Sequence, residues 1–143
     1  MKLVLCRHGN TFGPDDIPVW TGSSNDLPLV EKGLEQAKHA GQWLKKQGLK
    51  PSYVYASHLI RVKKFADIIH DVFGMDDIAK HDERLNEIDY GAWTGITDAA
   101  VVEKFGQDAL DNWRNHSQFP PEGQWGETKE EVVGRVASFI DDM

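Results

Sequence analysis

Cysteine and long apolar runs are both scarce in this sequence of 143 residues. The single cysteine, Cys6, cannot form an intrachain disulfide, which suits a reducing compartment. Apolar residues never run on for more than about five positions, whereas a helix that spans a membrane needs about 20. The apolar start Leu3–Cys6 is cut short by Arg7, so no signal peptide is predicted. These absences favour a cytoplasmic protein without a membrane partner.

Basic residues are outnumbered as well: 16 lysines and arginines stand against 23 acidic residues, a net charge of −7 at pH 7. This surplus of negative charge argues against nucleic acid and against anionic lipid as partners. An anionic substrate would have to be held by individual arginines. The length fits one globular domain, and we expect residues 1–143 to form it.

Apolar segments with two different periods alternate along the chain. Short continuous runs, typical of buried strands, occur at Lys2–Cys6, Ser52–Ala56 and near Ile78–Lys80. Segments with one apolar face predict helices at Glu31–Gln47, Leu59–Phe73, 97–105, 107–115 and after Thr128. This alternation predicts an α/β fold built on parallel strands.

Several conspicuous residues are predicted to have structural roles only. Thr128 and Glu131 have the spacing of a capping box at the start of the last helix. That helix carries one apolar stripe, made of Val132, Val133, Val136, Phe139 and Ile140. We expect Cys6 to be a buried strand residue, and His39 and His70 to lie on helix surfaces. The five tryptophans, at positions 20, 43, 93, 113 and 125, are interpreted as packing residues.

Polar residues with catalytic potential follow the first two predicted strands. Arg7, His8 and Gly9 stand where the first strand ends, and ligands of open α/β sheets bind beyond the carboxyl ends of strands. A histidine there can attack phosphorus or carry protons, although a surface loop with a chance Arg–His pair fits the same residues. Arg61 follows the second strand at the corresponding place. Two arginines at adjacent strand ends can neutralise a phosphoryl group during transfer.

A carboxyl group is the third candidate. Glu87 lies among Tyr90 and Trp93 in the segment Leu85–Gly95. A carboxyl group in a partly apolar pocket can serve as a general acid.

The sequence resembles the histidine phosphatase superfamily, in particular its phosphoglycerate-mutase-like group. The resemblance begins with Arg7-His8-Gly9-x-Thr11 and covers nearly the whole chain. The further matching blocks are Trp20-Thr21-Gly22 with Asp26-Leu27-Pro28-Leu29, Glu31-Lys32-Gly33-x-x-Gln36-Ala37, Ser57-x-Leu59-x-Arg61, Leu85-Asn86-Glu87-x-Asp89-Tyr90-Gly91-x-Trp93-x-Gly95, and Gly126-Glu127-Thr128 with Arg135. Together these blocks are highly specific, whereas Arg-His-Gly alone would be weak.

This resemblance implies a three-layer α/β/α sandwich around a mostly parallel sheet, and phosphoryl transfer through a phosphohistidine. His8 would be the nucleophile, and Glu87 would protonate the leaving alkoxide and then deprotonate water. Arg7 and Arg61 would hold the phosphate oxygens. Asn10, Thr21 and Gly22 would contribute further substrate contacts. The family requires no metal, and we expect no cofactor for this chain. A small phosphorylated molecule or a phosphoprotein would be the substrate.

The chain departs from the family pattern at two places. Asn10 stands where the family most often has Glu. The family pattern also continues after the helix of Arg135 with another central strand and a second phosphate-contacting histidine, and the sequence stops at Met143. We therefore expect an incomplete copy of a longer chain. Loss of a central strand would expose apolar faces and unpaired edges, through which a homodimer can form.

Three functions remain open at this point. A phosphate monoester hydrolase is favoured over a cofactor-dependent phosphoglycerate mutase. The reason is that the stretch between Glu87 and Gly126 lacks the paired arginines with which the mutases bind substrate carboxylate. Asn112 and Arg114 are the polar candidates in that stretch. The third reading is a phosphate-binding or interaction protein that has lost activity with the second histidine.

Overall fold

The helices near the start of the chain form because small and apolar residues recur at helical spacing. The structure is a computed structural model that describes residues 2–75 and 79–143. Helix α1 spans Glu31–Lys46, as predicted to within one residue. The face of α1 buries four residues in this pattern: Gly33, Ala37, Gly41 and Leu44.

Helix α2 packs against α1 and spans Ile60–Phe73, again close to the prediction. It ends at Gly74, whose φ of 61° lies in the left-handed region that favours glycine at a helix C-terminus. The small size of Gly41 allows the close approach, because a Cβ there would lie 3.1 Å from Val72. Ala37, Phe65 and Ile69 form the buried cluster between the two helices.

The described residues contain two short strands, the first of which leads into α2. Strand β1 spans Tyr55–Ala56 and β2 spans Lys80–His81; they pair in parallel, with Tyr55 opposite Lys80. The parallel direction agrees with the prediction, but β1 is shorter than the predicted run Ser52–Ala56. Part of the strand predicted near Ile78 lies outside the described residues.

The second half of the chain is built on aromatic packing. Helix α3 spans Asp98–Phe105 and α4 spans Gln107–His116, which confirms both predicted helices. Short 3₁₀ turns occur at Glu83–Leu85 and Gly91–Trp93. The buried cluster here consists of Tyr90, Trp93, Val101, Leu110 and Trp125. Helix α5 spans Lys129–Asp142 and begins with the predicted capping box of Thr128 and Glu131.

The described residues group into two units. The first unit comprises Met1–Asp15 and Leu27–Glu83, and the second comprises Asp16–Asp26 and Arg84–Met143. The prediction of one domain over residues 1–143 stays a prediction. The predicted mixture of helices with parallel strands is confirmed, whereas the three-layer arrangement is not resolved by the two strands described.

The predicted first strand is wrong in the structure. Lys2–Cys6 belongs to no strand, and Leu3, Leu5 and Cys6 are exposed, Leu5 to 86%. A strand is stable only when a neighbour accepts its backbone hydrogen bonds and covers its side chains. The described residues supply no such neighbour to Lys2–Cys6.

The structure corrects two other expectations and shows how far the apolar stripe of α5 is buried. His70 is buried on α2 rather than on its surface, and its Nε2 has no hydrogen-bond partner among the described atoms. Trp43 is 60% exposed on α1, so it is not a packing residue. The apolar stripe of α5 buries Phe139 but leaves Val133 and Ile140 exposed. Among the described residues, no helix is both long and apolar enough to cross a membrane.

Candidate functional site

His8 is held in one tautomer by two hydrogen bonds. Its Nδ1 lies 2.8 Å from the carbonyl oxygen of Gly9, and a contact to a carbonyl requires that Nδ1 carry the proton. Its Nε2 lies 3.3 Å from Nε of Arg61, which donates. Nε2 is therefore the unprotonated nitrogen, and its lone pair is what a nucleophilic histidine needs.

Arg61 is the second residue of α2 and is completely buried. Its position follows directly from the strand β1 and the short turn after it. Ser57 is buried in this turn, and its hydroxyl accepts a hydrogen bond from the backbone N–H of Leu59 at 3.4 Å. A buried guanidinium attracts an anion strongly because little water screens its charge. Arg7 is exposed next to His8.

The loop that carries His8 rests on the first turn of α1. A Cβ on Gly33 would lie 2.3 Å from the carbonyl oxygen of Asn10, so only glycine allows this approach. The Asn10 backbone N–H donates to the side chain of Gln36 at 2.8 Å, and its carbonyl accepts from the Val30 N–H at 3.0 Å. A phosphate contact from Asn10 would therefore use its side-chain amide.

Gln36 contributes a contact to this loop that the sequence did not predict. Its place in the block with Glu31, Gly33 and Ala37 was the available signal, but the contact joins positions 26 apart in sequence. A cavity of about 510 Å³ opens beside the same loop. Its lining consists of Asn10, Phe12, Gly13, Pro14, Val30, Glu31, Lys32 and Glu35.

In the second unit, the loop with Thr21 and Gly22 is fastened to the segment that carries Glu87. Gly22 has φ of +58°, and a Cβ there would lie 2.7 Å from the carbonyl oxygen of Ile88. The same carbonyl accepts a hydrogen bond from the Ser23 N–H at 3.1 Å. The structure thus brings Thr21, Gly22 and Glu87 into one neighbourhood, and His8, Asn10 and Arg61 into another.

The carboxyl group of Glu87 is exposed in the structure. Its Oε1 accepts from the backbone N–H of Ile88 at 3.2 Å and from the hydroxyl of Tyr90 at 3.4 Å. The expected apolar pocket around this carboxyl group is therefore wrong. Trp93 is packed in the aromatic core instead, and the Tyr90 hydroxyl contacts Glu87.

The sequence also did not predict an ion pair that lies near Glu87. Arg135 donates to Glu127 from Nε at 2.7 Å and from Nη2 at 3.1 Å. Such a two-point contact fixes both side chains more firmly than a single bond does. Glu127 and Arg135 were visible as matching motif residues, but no spacing rule connects them to positions 84–89.

Arg114, a candidate for a carboxylate-binding residue of a mutase, is engaged elsewhere. Its Nη2 lies 2.6 Å from Oδ2 of Asp98, and its guanidinium is 6.0 Å from the ring centre of Trp20. The other oxygen of Asp98 accepts from the indole N–H of Trp20 at 3.1 Å. Asn112 is half-buried in α4. In this arrangement the guanidinium of Arg114 is paired with Asp98.

Comparison with known proteins gives consistent relatives. The chain is 36% identical over 123 residues to the 2,3-bisphosphoglycerate-dependent phosphoglycerate mutase of Porphyromonas gingivalis, covering 84% of this chain and 48% of the relative. It is 34% identical over 140 residues to the protein of the same name from Parvibaculum lavamentivorans, covering 97% of this chain and 65% of the relative. The chain therefore spans about half to two thirds of the length of these curated relatives.

Solved structures show the same likeness. A mycobacterial glucosyl-3-phosphoglycerate phosphatase in complex with VO3 superimposes with a TM-score of 0.77 at 27% identity, covering 94% of this chain and 63% of that protein. This match confirms the predicted phosphoglycerate-mutase-like fold class. The protein-family model of the histidine phosphatase superfamily (branch 1) matches residues 3–143 of the sequence. With nearly every residue matched, the chain belongs to the histidine phosphatase superfamily.

Proposed function

We propose that this chain hydrolyses phosphate monoesters through a phosphohistidine on His8. The observation that carries the proposal is the unprotonated Nε2 of His8 beside the buried guanidinium of Arg61. The superfamily shares the phosphohistidine mechanism. A neutral imidazole that is unprotonated at Nε2 can attack phosphorus without first losing a proton, after Arg61 has released its hydrogen bond to that lone pair.

The proposed reaction has two steps. Nε2 of His8 forms a bond to phosphorus while the bond to the ester oxygen breaks, and Glu87 gives its proton to the departing oxygen. Water then attacks the phosphohistidine, Glu87 takes the proton of that water, and inorganic phosphate leaves as the P–N bond breaks. Positive charge on Arg7 and Arg61 offsets the negative charge of the transferring group.

The remaining predicted residues serve substrate binding in this proposal. The side-chain amide of Asn10 donates to a phosphate oxygen, and Thr21 and Gly22 contact the substrate next to Glu87. No metal or other cofactor takes part. The substrate is a small phosphorylated molecule or a phosphoprotein.

The test is hydrolysis of p-nitrophenyl phosphate by the 143-residue chain, with and without vanadate. We expect turnover that vanadate inhibits and that His8→Ala abolishes. His39→Ala is the matched control, because His39 is an exposed histidine of α1 and should leave turnover unchanged. Acid-labile phosphate should be recovered on His8. Folded protein that binds vanadate without turnover would overturn the proposal in favour of a phosphate-binding protein.

A phosphoglycerate mutase is the second candidate, favoured by the names of the sequence relatives. A mutase returns the phosphoryl group to a second hydroxyl, whereas a hydrolase gives it to water. Incubation with 3-phosphoglycerate and 2,3-bisphosphoglycerate separates the two. We expect inorganic phosphate as the main product, since the stretch between Glu87 and Gly126 lacks the paired arginines of the mutases and its Arg114 is paired with Asp98. Rapid formation of 2-phosphoglycerate would establish the mutase instead.

A further inference from the structure

A single arginine contacts the backbone close to Glu87 in the second unit. Besides its two bonds to Glu127, Arg135 donates from Nη1 to the carbonyl oxygen of Arg84 at 2.7 Å. Its Nη2 also lies 3.5 Å from the carbonyl oxygen of Glu87, the outer limit of a hydrogen bond. Arg135 therefore ties α5 to the backbone just before Glu87 and at Glu87 itself.

Glu127 completes the attachment on the other side. Its Oε2, which binds Arg135, also accepts from the backbone N–H of Asp89 at 3.0 Å. The carbonyl of Asp89 in turn accepts from the N–H of Gly126 at 2.9 Å. The ion pair thus holds the chain on both sides of Glu87 by backbone groups, whatever side chains those positions carry.

Both members of this pair are largely shielded from water, with 18% of the Arg135 side chain and 22% of the Glu127 side chain exposed. Partial burial strengthens a charged hydrogen bond and makes a broken one costly. The planar fork of arginine is needed here because its nitrogens reach a carboxylate and backbone carbonyls at the same time. A lysine at this position has one ammonium group and cannot make all of these contacts.

We propose that Arg135, anchored by Glu127, is a positioning residue for Glu87. The inference rests on the proposed role of Glu87 as the proton donor. Arg135 does not touch the carboxyl group; it fixes the backbone from which that group extends. The hydrogen bonds from Ile88 N–H and Tyr90 hydroxyl then hold the carboxylate itself. Because proton transfer depends on position to within about 1 Å, loosening the backbone should cost about 10²-fold in rate.

Leaving-group dependence separates positioning from a general loss of structure. Phenyl phosphate needs a proton on its leaving oxygen, whereas 2,4-dinitrophenyl phosphate loses a stable anion and needs none. A misplaced Glu87 therefore slows phenyl phosphate selectively. General loss of folded protein slows both esters by the same factor.

The experiment measures kcat/KM for both esters in four proteins: wild type, Glu87→Gln, Arg135→Lys and Arg84→Lys. We expect Arg135→Lys to lower the value for phenyl phosphate by about 10²-fold and that for the dinitrophenyl ester by less than about threefold. Glu87→Gln should show the same selectivity. Arg84→Lys is the matched control: the Arg84 side chain binds Ser138 and Asp142 of α5, and the substitution keeps the backbone carbonyl that Arg135 uses.

A second measurement needs no turnover. Exchange of the Asp89 amide hydrogen should become about tenfold faster in Arg135→Lys, because Glu127 loses the partner that orients it, and should stay unchanged in Arg84→Lys. Unaltered exchange in Arg135→Lys, or equal slowing of both esters, would overturn the positioning role. Failure of the proposed function looks different: Glu87→Gln then shows no selectivity, or the wild type shows no turnover, while the exchange result still decides the question for Arg135.

Discussion

At the residue scale, two helical glycines of this chain have opposite surroundings. Gly33 of α1 faces the backbone of Asn10, and a Cβ there would lie 2.3 Å from a carbonyl oxygen. Gly134 of α5 has no neighbouring atom within 4 Å of the place a Cβ would occupy. The same substitution to alanine therefore probes close packing at one position and helix propensity alone at the other.

We expect Gly33→Ala to lower the free energy of unfolding by about 1–3 kcal/mol, because backbone atoms must move to admit the methyl group. Gly134→Ala should raise it by about 0.5–1 kcal/mol, since alanine loses less backbone entropy in a helix. Urea denaturation of both variants checks the pair. A stabilised Gly33→Ala would contradict the close contact between α1 and the loop that carries His8.

At the element scale, the start of α5 depends on pH through its capping box. The carboxylate of Glu131 accepts from the backbone N–H of Thr128 at 2.8 Å and from its hydroxyl at 2.9 Å. These two hydrogen bonds lower the pKa of Glu131 from its usual 4.5. A pKa that is lower in the folded state means that this contribution is present above the unfolded pKa and is lost as pH falls through the folded pKa.

Thr128→Ala should therefore destabilise the protein at neutral pH by about 1 kcal/mol, the usual effect of losing an N-cap. The difference from wild type should shrink as the solution is acidified through the Glu131 pKa. Thr97→Ala is the control, because the Thr97 hydroxyl caps α3 through the Ala100 N–H without a carboxyl partner. Urea denaturation at neutral and acidic pH measures both. An equal pH response in the two variants would contradict a role for Glu131.

At the scale of the whole molecule, the proposed mechanism uses Glu87 in both steps, first together with His8 and then to activate water. When the leaving group needs no proton, loss of Glu87 should slow the second step, in which water is activated, much more than the first step. With 2,4-dinitrophenyl phosphate, Glu87→Gln should release one equivalent of phenolate rapidly, accumulate phosphohistidine and then turn over about 10²–10⁴-fold more slowly than wild type.

Rapid-quench measurement of the fraction of protein that carries a phosphoryl group checks this accumulation. Glu103→Gln, which removes an exposed carboxylate from α3, should behave as wild type. Wild-type turnover in Glu87→Gln, with no phosphorylated protein, would show that another group activates the water.

The expected homodimer and the cytoplasmic location stay predictions. Sedimentation equilibrium of the purified chain checks the homodimer.

Local rules explain why so much of the fold was predictable. Helix α2 was recognised because its apolar period is regular and Gly74 ends it, and α5 because Thr128 and Glu131 form a cap from neighbouring positions. The contact of His8 with Arg61 joins positions 53 apart; the places of both residues after predicted strands and the family motifs pointed to it, whereas no local pattern did. The buried state of His70 and the exposed state of Glu87 depend on distant neighbours, so no local pattern indicated either.

By itself, the sequence determined the helices, the capping box, the family and the identity of the candidate catalytic residues, because these depend on neighbouring positions and specific motifs. Tertiary structure decided which nitrogen of His8 is unprotonated, since that depends on what Gly9 and Arg61 present to the ring. It also decided that Lys2–Cys6 forms no strand and that Arg135 holds the backbone beside Glu87. The physical reason is the same in each case: hydrogen bonds and burial depend on which segments of the chain lie next to each other, and these segments are brought together only in the folded structure.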